Sequence, residues 1–345
     1  RGPGATNASI GVHVAHQDSQ PMILFVGDVD RGMKDREGFQ ELDFQAVFGP
    51  RCKWAARIDD AARIPEYVAR AWSVAIAGRP GPVVLALPED MLREEIEGIA
   101  PRPAVVRPAQ AACPDAMGAL MAMLGDAVAP IAIVGGAGWN AKARDHFTAF
   151  AEAVGLPVAG AFRRQDAVPN SSKVWAGNLG YGPNPKLLER VRAADLVIAV
   201  GARLGEATTD GYELLTPDHP DQTLVHVHPD PEELGRVYRA DLAICADMAE
   251  FSESVALLAD EVIDFDAGAE AHREWIDWST PQDSGSSGLD LALAVKTMRE
   301  LLPADAIICN GAGNFSGWWH RYWPYEGYPS QLAPTAGAMG DGVPA

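Results

Sequence analysis

Short apolar runs bounded by glycine or proline alternate along this chain with segments of helical spacing. "PMILFVGDV" (Pro21 to Val29) and "GPVVLALP" (Gly81 to Pro88) read as buried strands, because a strand covered on both faces carries no polar alternation. Between them, over Asp59 to Gly78, Ile64, Val68, Ala71, Trp72 and Ala75 recur at helical spacing, and Gly78 follows as a stop. Strand, helix, strand in that order predicts a parallel sheet.

The pattern repeats in a second block. "APIAIVGGAG" (Ala129 to Gly138) is a strand running into glycines, and "ARDHFTAFAEAVG" (Ala143 to Gly155) is an amphipathic helix ending at Gly155. "LPVAGAF", "ADLVIAVGARLG" (Ala194 to Gly205) and "QTLVHVHPDPEEL" (Gln222 to Leu234) supply further strands, which predicts a small doubly wound domain. A third block opens with a helix at Leu289 to Pro303 and a strand at Asp305 to Gly313. The aromatic segment "FSGWWHRYWPYEGYP" follows. Proline-rich chain from about Glu89 to Pro114 and a stretch from about Leu257 to Gly288, Ser/Gly-rich at its end, read as linkers. No tandem repeat is visible.

Composition narrows the functional classes. The 345 residues are 48% hydrophobic and 22% charged, ordinary for a globular chain with a sizeable core. A net charge of −19 argues against nucleic-acid binding, which needs cations to neutralise phosphates. An anionic substrate would need a locally built site. Cys52, Cys113, Cys245 and Cys309 are far apart with no CxxC pair, so neither a zinc site nor a disulfide framework is signalled and a reducing cytoplasm fits. No apolar run is long enough to span a bilayer and no signal peptide opens the chain.

Five glycine-rich strings hold the candidate chemistry. "NGAGNFSGW" (Asn310 to Trp318) follows a strand, where backbone N–H groups can turn toward a phosphate, although spacing alone fits a tight turn equally. "GAMGDGVPA" (Gly337 to Ala345) reads as a loop entering a helix, with glycines that permit positive φ. "RGPGATN" (Arg1 to Asn7) reads as a turn before a helix capped by Thr6 or Asn7. "GGAG" (Gly135 to Gly138) and "GARLG" (Gly201 to Gly205) lie at strand ends and would suit a dinucleotide, but no full GxGxxG occurs. His226 and His228 alternate on a strand without a third ligand nearby and read as structural rather than metal-binding.

Taken together, these strings resemble the thiamine diphosphate-dependent 2-keto acid enzymes, nearest the acetolactate synthase large-subunit group, over essentially the whole chain. The resemblance implies an α/β fold of three doubly wound parallel-sheet domains, the first and third incomplete. These would be the end of a pyrimidine-binding domain (1–95), a whole central Rossmann-like domain (113–256) and the start of a diphosphate-binding domain (288–345). It assigns Gly313, Asn314 and Phe315 to the cofactor diphosphate, with Asn314 and Phe315 standing where the family often has Gln-His. It assigns the Gly337 carbonyl to the cofactor's exocyclic amine and Met339 to a wedge beneath the bent cofactor, with Asp341 in place of a common aromatic. Pro3 and Asn7 would line the pyrimidine ring across a subunit interface.

"REGFQELDFQAVFGPRCKWA" (Arg36 to Ala55) matches the family's substrate side. Gln40 joins Gly337 and Met339 as a candidate at the catalytic centre, and Phe39 and Lys53 are candidates for the substrate channel. Asp28 stands after Gly27 where the family usually has Gln. In the central domain, Gly135, Gly136, Gly201 and Arg203 are the FAD candidates. Relatives bind FAD, ADP or nothing there, so FAD stays open.

The implied activity is decarboxylation of a pyruvate-like 2-keto acid with carboligation to a second carbonyl, in a cytoplasmic homodimer or homotetramer using thiamine diphosphate and Mg²⁺. A non-ligating decarboxylase and a non-catalytic nucleotide-binding protein are the alternatives. A nicotinamide dehydrogenase is the weakest reading. The family's catalytic Glu and its Mg²⁺ motif would lie outside these residues, and the 345 residues alone would be inactive. "GDG" at Gly340 to Gly342 lacks the downstream Asn and is rejected as a metal site, so no metal ligand is assigned.

Overall fold

The computed structural model describes residues 1–103, 105–218, 220–259, 265–282 and 288–343. Two compact units divide the chain, Arg1–Pro108 and Ala109–Ala345, and the boundary falls in the proline-rich linker. Among the described residues there are three sheets, and every named strand pair in them is parallel. The α/β class follows from the alternation of strand and helix.

The first unit contains α1 (Gly2–Asp18), β1 (Met22–Asp28), α2 (Phe44–Phe48), β2 (Trp54–Arg57), α3 (Ile64–Ile76) and β3 (Pro82–Pro88). Its sheet order is β1-β3-β2, so the apolar run at Pro82 to Pro88 is the central strand. Val83 and Leu85 pack with Ile58, Ala71, Ala75 and Met91, whereas Val84 and Ala86 pack with Val12, Val26, Phe44 and Phe48. Burial on both faces is why this strand lacks polar positions. On α3, Ala71 and Ala75 are buried as expected, but Trp72 is 51% exposed and turns away from the core.

The second unit runs α4 (Pro114–Asp126), β4 (Pro130–Val134), α5 (Ala141–Val154), β5 (Val158–Gly160), β6 (Trp175–Asn178), α6 (Pro185–Ala193), β7 (Leu196–Val200), β8 (Thr223–His228), β9 (Leu242–Cys245) and α7 (Met248–Leu257). It then continues through α8 (Ala267–Ser279), α9 (Leu291–Leu301), β10 (Ile308–Cys309), α10 (Ser316–Tyr322) and β11 (Gln331–Leu332). The six-stranded sheet has the order β6-β5-β4-β7-β8-β9. That is the doubly wound arrangement, with its reversal between β4 and β7. Ile131 and Ile133 face one core layer, and Ala132 and Val134 face the other. Asn140 caps α5 through Ala143 N–H, and Gly155 ends it at φ 66°.

Two expectations change. Residues read as a linker contain α8, whose Ala271 is buried and whose Glu270 and Glu274 pair with Arg190. The Ser/Gly-rich end of that linker, at 283–287, lies outside the described residues. "GPGATN" is the first turn and a half of α1 itself, so Thr6 and Asn7 cap nothing and the N-cap is Arg1, which makes no side-chain cap bond. Residues 339–343 form turns, as the loop reading of this string has it, and 344–345 lie outside the described residues.

Where the strand order reverses, the turns after β4 and β7 touch, and a Cβ on Gly136 (φ 76°) would stand 1.9 Å from Gly201 O. Gly136→Ala is expected to cost roughly 3 kcal/mol, the upper end for a point substitution, because both its backbone and its space exclude a side chain. Urea unfolding checks it, and an unchanged midpoint would contradict the close approach.

Candidate functional site

The short strands β10 and β11 align Ile308 with Gln331 and Cys309 with Leu332, and Asn310 N–H then donates to Leu332 O at 3.0 Å. Both strands end in glycine turns, and the turns meet. A Cβ on Gly342 would lie 2.7 Å from Gly311 N, and one on Gly311 would lie 3.3 Å from Gly340 N. Ala312 N–H donates to Ala338 O at 3.3 Å. The two strings assigned to the cofactor are therefore adjacent, with only glycine allowed at the contact. Beyond it, Gly313 (φ 125°), Asn314 and Phe315 are exposed, as are Gly337 (φ 70°) and Met339, which is 82% exposed. Among the described residues, the N–H groups of Gly313, Asn314 and Phe315 donate to no acceptor and Asn310 Oδ1 accepts no bond. Three outward donors on a glycine turn after a parallel strand are what a diphosphate requires, so these residues fit thiamine diphosphate.

Gly313, Asn314, Ser316 and Gly317 line a cavity of about 480 Å³ that also meets Phe162, Arg163, Tyr181 and His320. Phe162 meets Tyr181 and His320 edge-on, with ring centroids 5.3 and 6.3 Å apart. Burial, helped by the Arg163 charge, pushes the His320 imidazole down to about 4, and its Nε2 has no partner among the described residues. Sequence reading missed both Arg163 and His320; their only signal was a place after a strand or inside an aromatic run.

The central crevice differs. Trp139 Nε1 donates to Gly135 O at 2.8 Å, and Arg164 Nε donates to Gly136 O at 3.1 Å. A Cβ on Gly201 would meet Met248 Sδ at 2.8 Å and Trp139 Nε1 at 3.1 Å. The chain's own side chains fill the mouth between the turns, where such a sheet would hold a dinucleotide. Arg203 is half-buried at the edge of that crevice. On β8, His226 Nε2 donates to Ala202 O at 2.8 Å and His228 Nδ1 accepts from Asp230 N–H at 3.0 Å. Burial lowers both rings, His228 to about 4. Among the described residues no group of three or more His, Cys, Asp or Glu converges on a metal position.

In the first unit, Asp28 ends β1 with only 5% exposure. Its Oδ1 accepts from Val29 N–H at 2.8 Å and its Oδ2 from Arg57 Nε at 2.7 Å, while Arg57 Nη1 pairs with Asp59 at 2.8 Å. The pair borders a 430 Å³ cavity that also meets Trp54, Tyr67 and Arg70. Trp54 stacks on Tyr67 at 5.6 Å and carries the Arg70 guanidinium 4.3 Å from its ring centre. Phe39, Gln40 and Lys53 do not line this cavity. Phe39 is 81% exposed, Gln40 sits at φ 66° with its carbonyl on Gly2 N–H, and the Lys53 ammonium holds the carbonyls of Ala77 and Arg79 at the end of α3. Pro3 and Asn7 are exposed on α1.

Two outcomes follow. His228 and His320 titrate near 4 when folded against an ordinary 6.5, so the folded state binds fewer protons and their contribution to stability is lost as pH falls from 6.5 to 4. Replacing either with Gln should flatten the stability profile in that window, as read by denaturant melts at stepped pH; parallel profiles would refute it. Arg57→Leu strands a buried carboxylate and should cost about 3 kcal/mol, whereas Asp28→Asn with Arg57→Leu should recover at least half of that loss.

Residues 1–47 match the family model described as the thiamine pyrophosphate enzyme N-terminal TPP binding domain, and residues 117–255 match that of the thiamine pyrophosphate enzyme central domain. The chain is 28% identical to the acetolactate synthase large subunit of Corynebacterium glutamicum, covering 100% of this chain and 56% of that protein. It is 30% identical to the large subunit from Parasynechococcus marenigrum, covering 57% of it, and 27% identical to the isozyme 3 large subunit of Escherichia coli, covering 62%. The chain thus spans little more than half the length of these relatives. Among the described residues no helix is long and apolar enough to cross a membrane. The two domain models and the relatives along its whole length place it: this chain belongs to the thiamine pyrophosphate enzyme family.

Proposed function

We propose that the protein takes part in thiamine diphosphate-dependent decarboxylation of a pyruvate-like 2-keto acid with carboligation to a second carbonyl, as an acetolactate synthase-like enzyme. The observation that carries this reading is the contact of Gly311 with Gly340 and Gly342, which sets two exposed glycine turns side by side. The backbone N–H groups of Gly313 to Phe315 would bind the diphosphate, and the Gly337 carbonyl and Met339 would orient the pyrimidine and hold its amine in place. When bound, the cofactor supplies a nucleophilic thiazolium carbon and an electron sink for the departing carboxylate. Arg163 and His320 line the same cavity as Gly313 and Asn314, and burial keeps the His320 imidazole in its neutral form at neutral pH.

The division into pyrimidine-binding (1–95), central (113–256) and diphosphate-binding (288–345) segments belongs to the same reading. So do a second copy that completes the site through Pro3 and Asn7, a Mg²⁺ ion on the diphosphate, and a cytoplasmic setting. The relatives named as acetolactate synthase large subunits support the choice of reaction.

Full-length protein supplied with thiamine diphosphate, Mg²⁺ and pyruvate should yield acetolactate by NMR. Acetaldehyde without acetolactate would move the reading to a non-ligating decarboxylase. Failure to bind the cofactor at all would end it.

A further inference from the structure

Three residues of one short segment of the central domain, Arg163, Gln165 and Asp166, hydrogen-bond to the elements that carry the paired glycine turns. Arg163, 4% exposed and held at φ 58°, donates through Nη1 to Pro334 O, the same carbonyl that accepts Gly337 N–H at 3.0 Å. Gln165 donates from Nε2 to His320 O at 2.7 Å, which fixes α10 behind the Gly313 turn. Its backbone N–H donates to Gln331 Oε1 at 2.7 Å, and Gln331 Nε2 returns a bond to Gln165 Oε1 at 2.9 Å. Asp166 Oδ2 accepts from Ser330 N–H at 2.9 Å and Gln331 N–H at 3.1 Å, where β11 begins.

The β10–β11 ladder is two residues long. A strand pair that short does not hold its own register in water. The spacing of the two turns must therefore come from elsewhere, and the segment 163–166 reaches α10, β11 and the Pro334 turn together. A non-glycine residue held in the left-handed region, as Arg163 is, costs energy that surrounding structure has to offset, and such strain gathers where geometry is functional.

We infer that Arg163, Gln165 and Asp166 are positioning residues for the cofactor: they set the separation of the Gly313 and Gly337 turns and thereby make the central domain part of the cofactor seat. This rests on the reading of those turns as the thiamine diphosphate seat. None of the three needs to touch substrate.

The test is titration of full-length protein with thiamine diphosphate and Mg²⁺, followed by circular dichroism, alongside thermal melting of the cofactor-free form. Arg163→Gly keeps the backbone conformation and removes the donor; Gln165→Met keeps the volume and removes the bonds. Each should weaken cofactor affinity about tenfold or more, as loss of a supporting contact does. Arg163→Lys, which still offers a donor to one carbonyl, should recover most of the affinity. Leu187→Ala, at a buried position of α6, should lower the melting temperature and bind like the wild type. Latch variants that bind as tightly as wild type would overturn the inference and leave the cofactor reading intact. Equal weakening by Leu187→Ala would also overturn it, since stability alone would then account for the effect. Wild-type protein that binds no cofactor would sink both.

Discussion

Buried polar atoms must find partners, and at the end of β5 that requirement ties distant parts of the second unit together. Gln165, Asp166, Asn170 and Gln331 are all at most 4% exposed. A buried donor or acceptor left unmatched costs on the order of 1–3 kcal/mol, more than most single contacts contribute. Asn170 accepts from Tyr325 N–H and donates to Gln165 O, so the same chain of bonds runs on toward the aromatic segment. No member can be released without stranding another. The segment 316–334 is therefore held to the central sheet by matched hydrogen bonds more than by its two-residue strand pair.

Close backbone approach at glycines occurs at both carboxyl edges, with opposite consequences. After β4 and β7, Gly136 touches Gly201, and Trp139, Arg164 and Met248 close over them. After β10 and β11, Gly342 touches Gly311, and the residues beyond stay exposed. Glycine permits both arrangements, so glycine content cannot tell a seat from a sealed joint. What separates them is whether large neighbours, here an indole and a guanidinium, fold back over the turn. In this unit the doubly wound sheet acts as the frame, and the shorter sheet carries the open turns.

That distinction marks how far the sequence could be read. The buried strands at Pro82 to Pro88 and Pro130 to Val134 were legible because two-sided burial leaves continuous apolar runs. The helix at Ala141–Val154 was legible from its period and Gly155. By contrast, α1 buries only Gly2, Ala5, Val12 and Ala15, small side chains that leave almost no amphipathic signal, and its first residues, Gly2 to Asn7, were read as a turn before a helix. Helix α8 hid in a polar stretch because its anchors, Arg190 and Gly177, lie far away in the sequence. The paired turns at Gly313 and Gly337 could be named from their strings. Arg163, Gln165 and His320 could not, since nothing local distinguishes a buried polar side chain with distant partners from an exposed one.

Asp28 shows the same limit in electrostatic form. Read in sequence, it places a carboxylate where relatives of this type carry an amide. In the fold, Arg57 donates to it from 29 residues away, and Asp59 takes another face of the same guanidinium. With side-chain exposures of 7% and 13%, Asp28 and Arg57 are too deeply placed to be held as separate ions; either alone would carry an uncompensated desolvation cost. A molecule entering that cavity therefore meets an ion pair with a fixed dipole, flanked by the Trp54–Tyr67 stack, rather than a free negative charge. The field at that wall therefore depends on the orientation of the pair as well as on the Asp28 charge, and Arg57 sets that orientation.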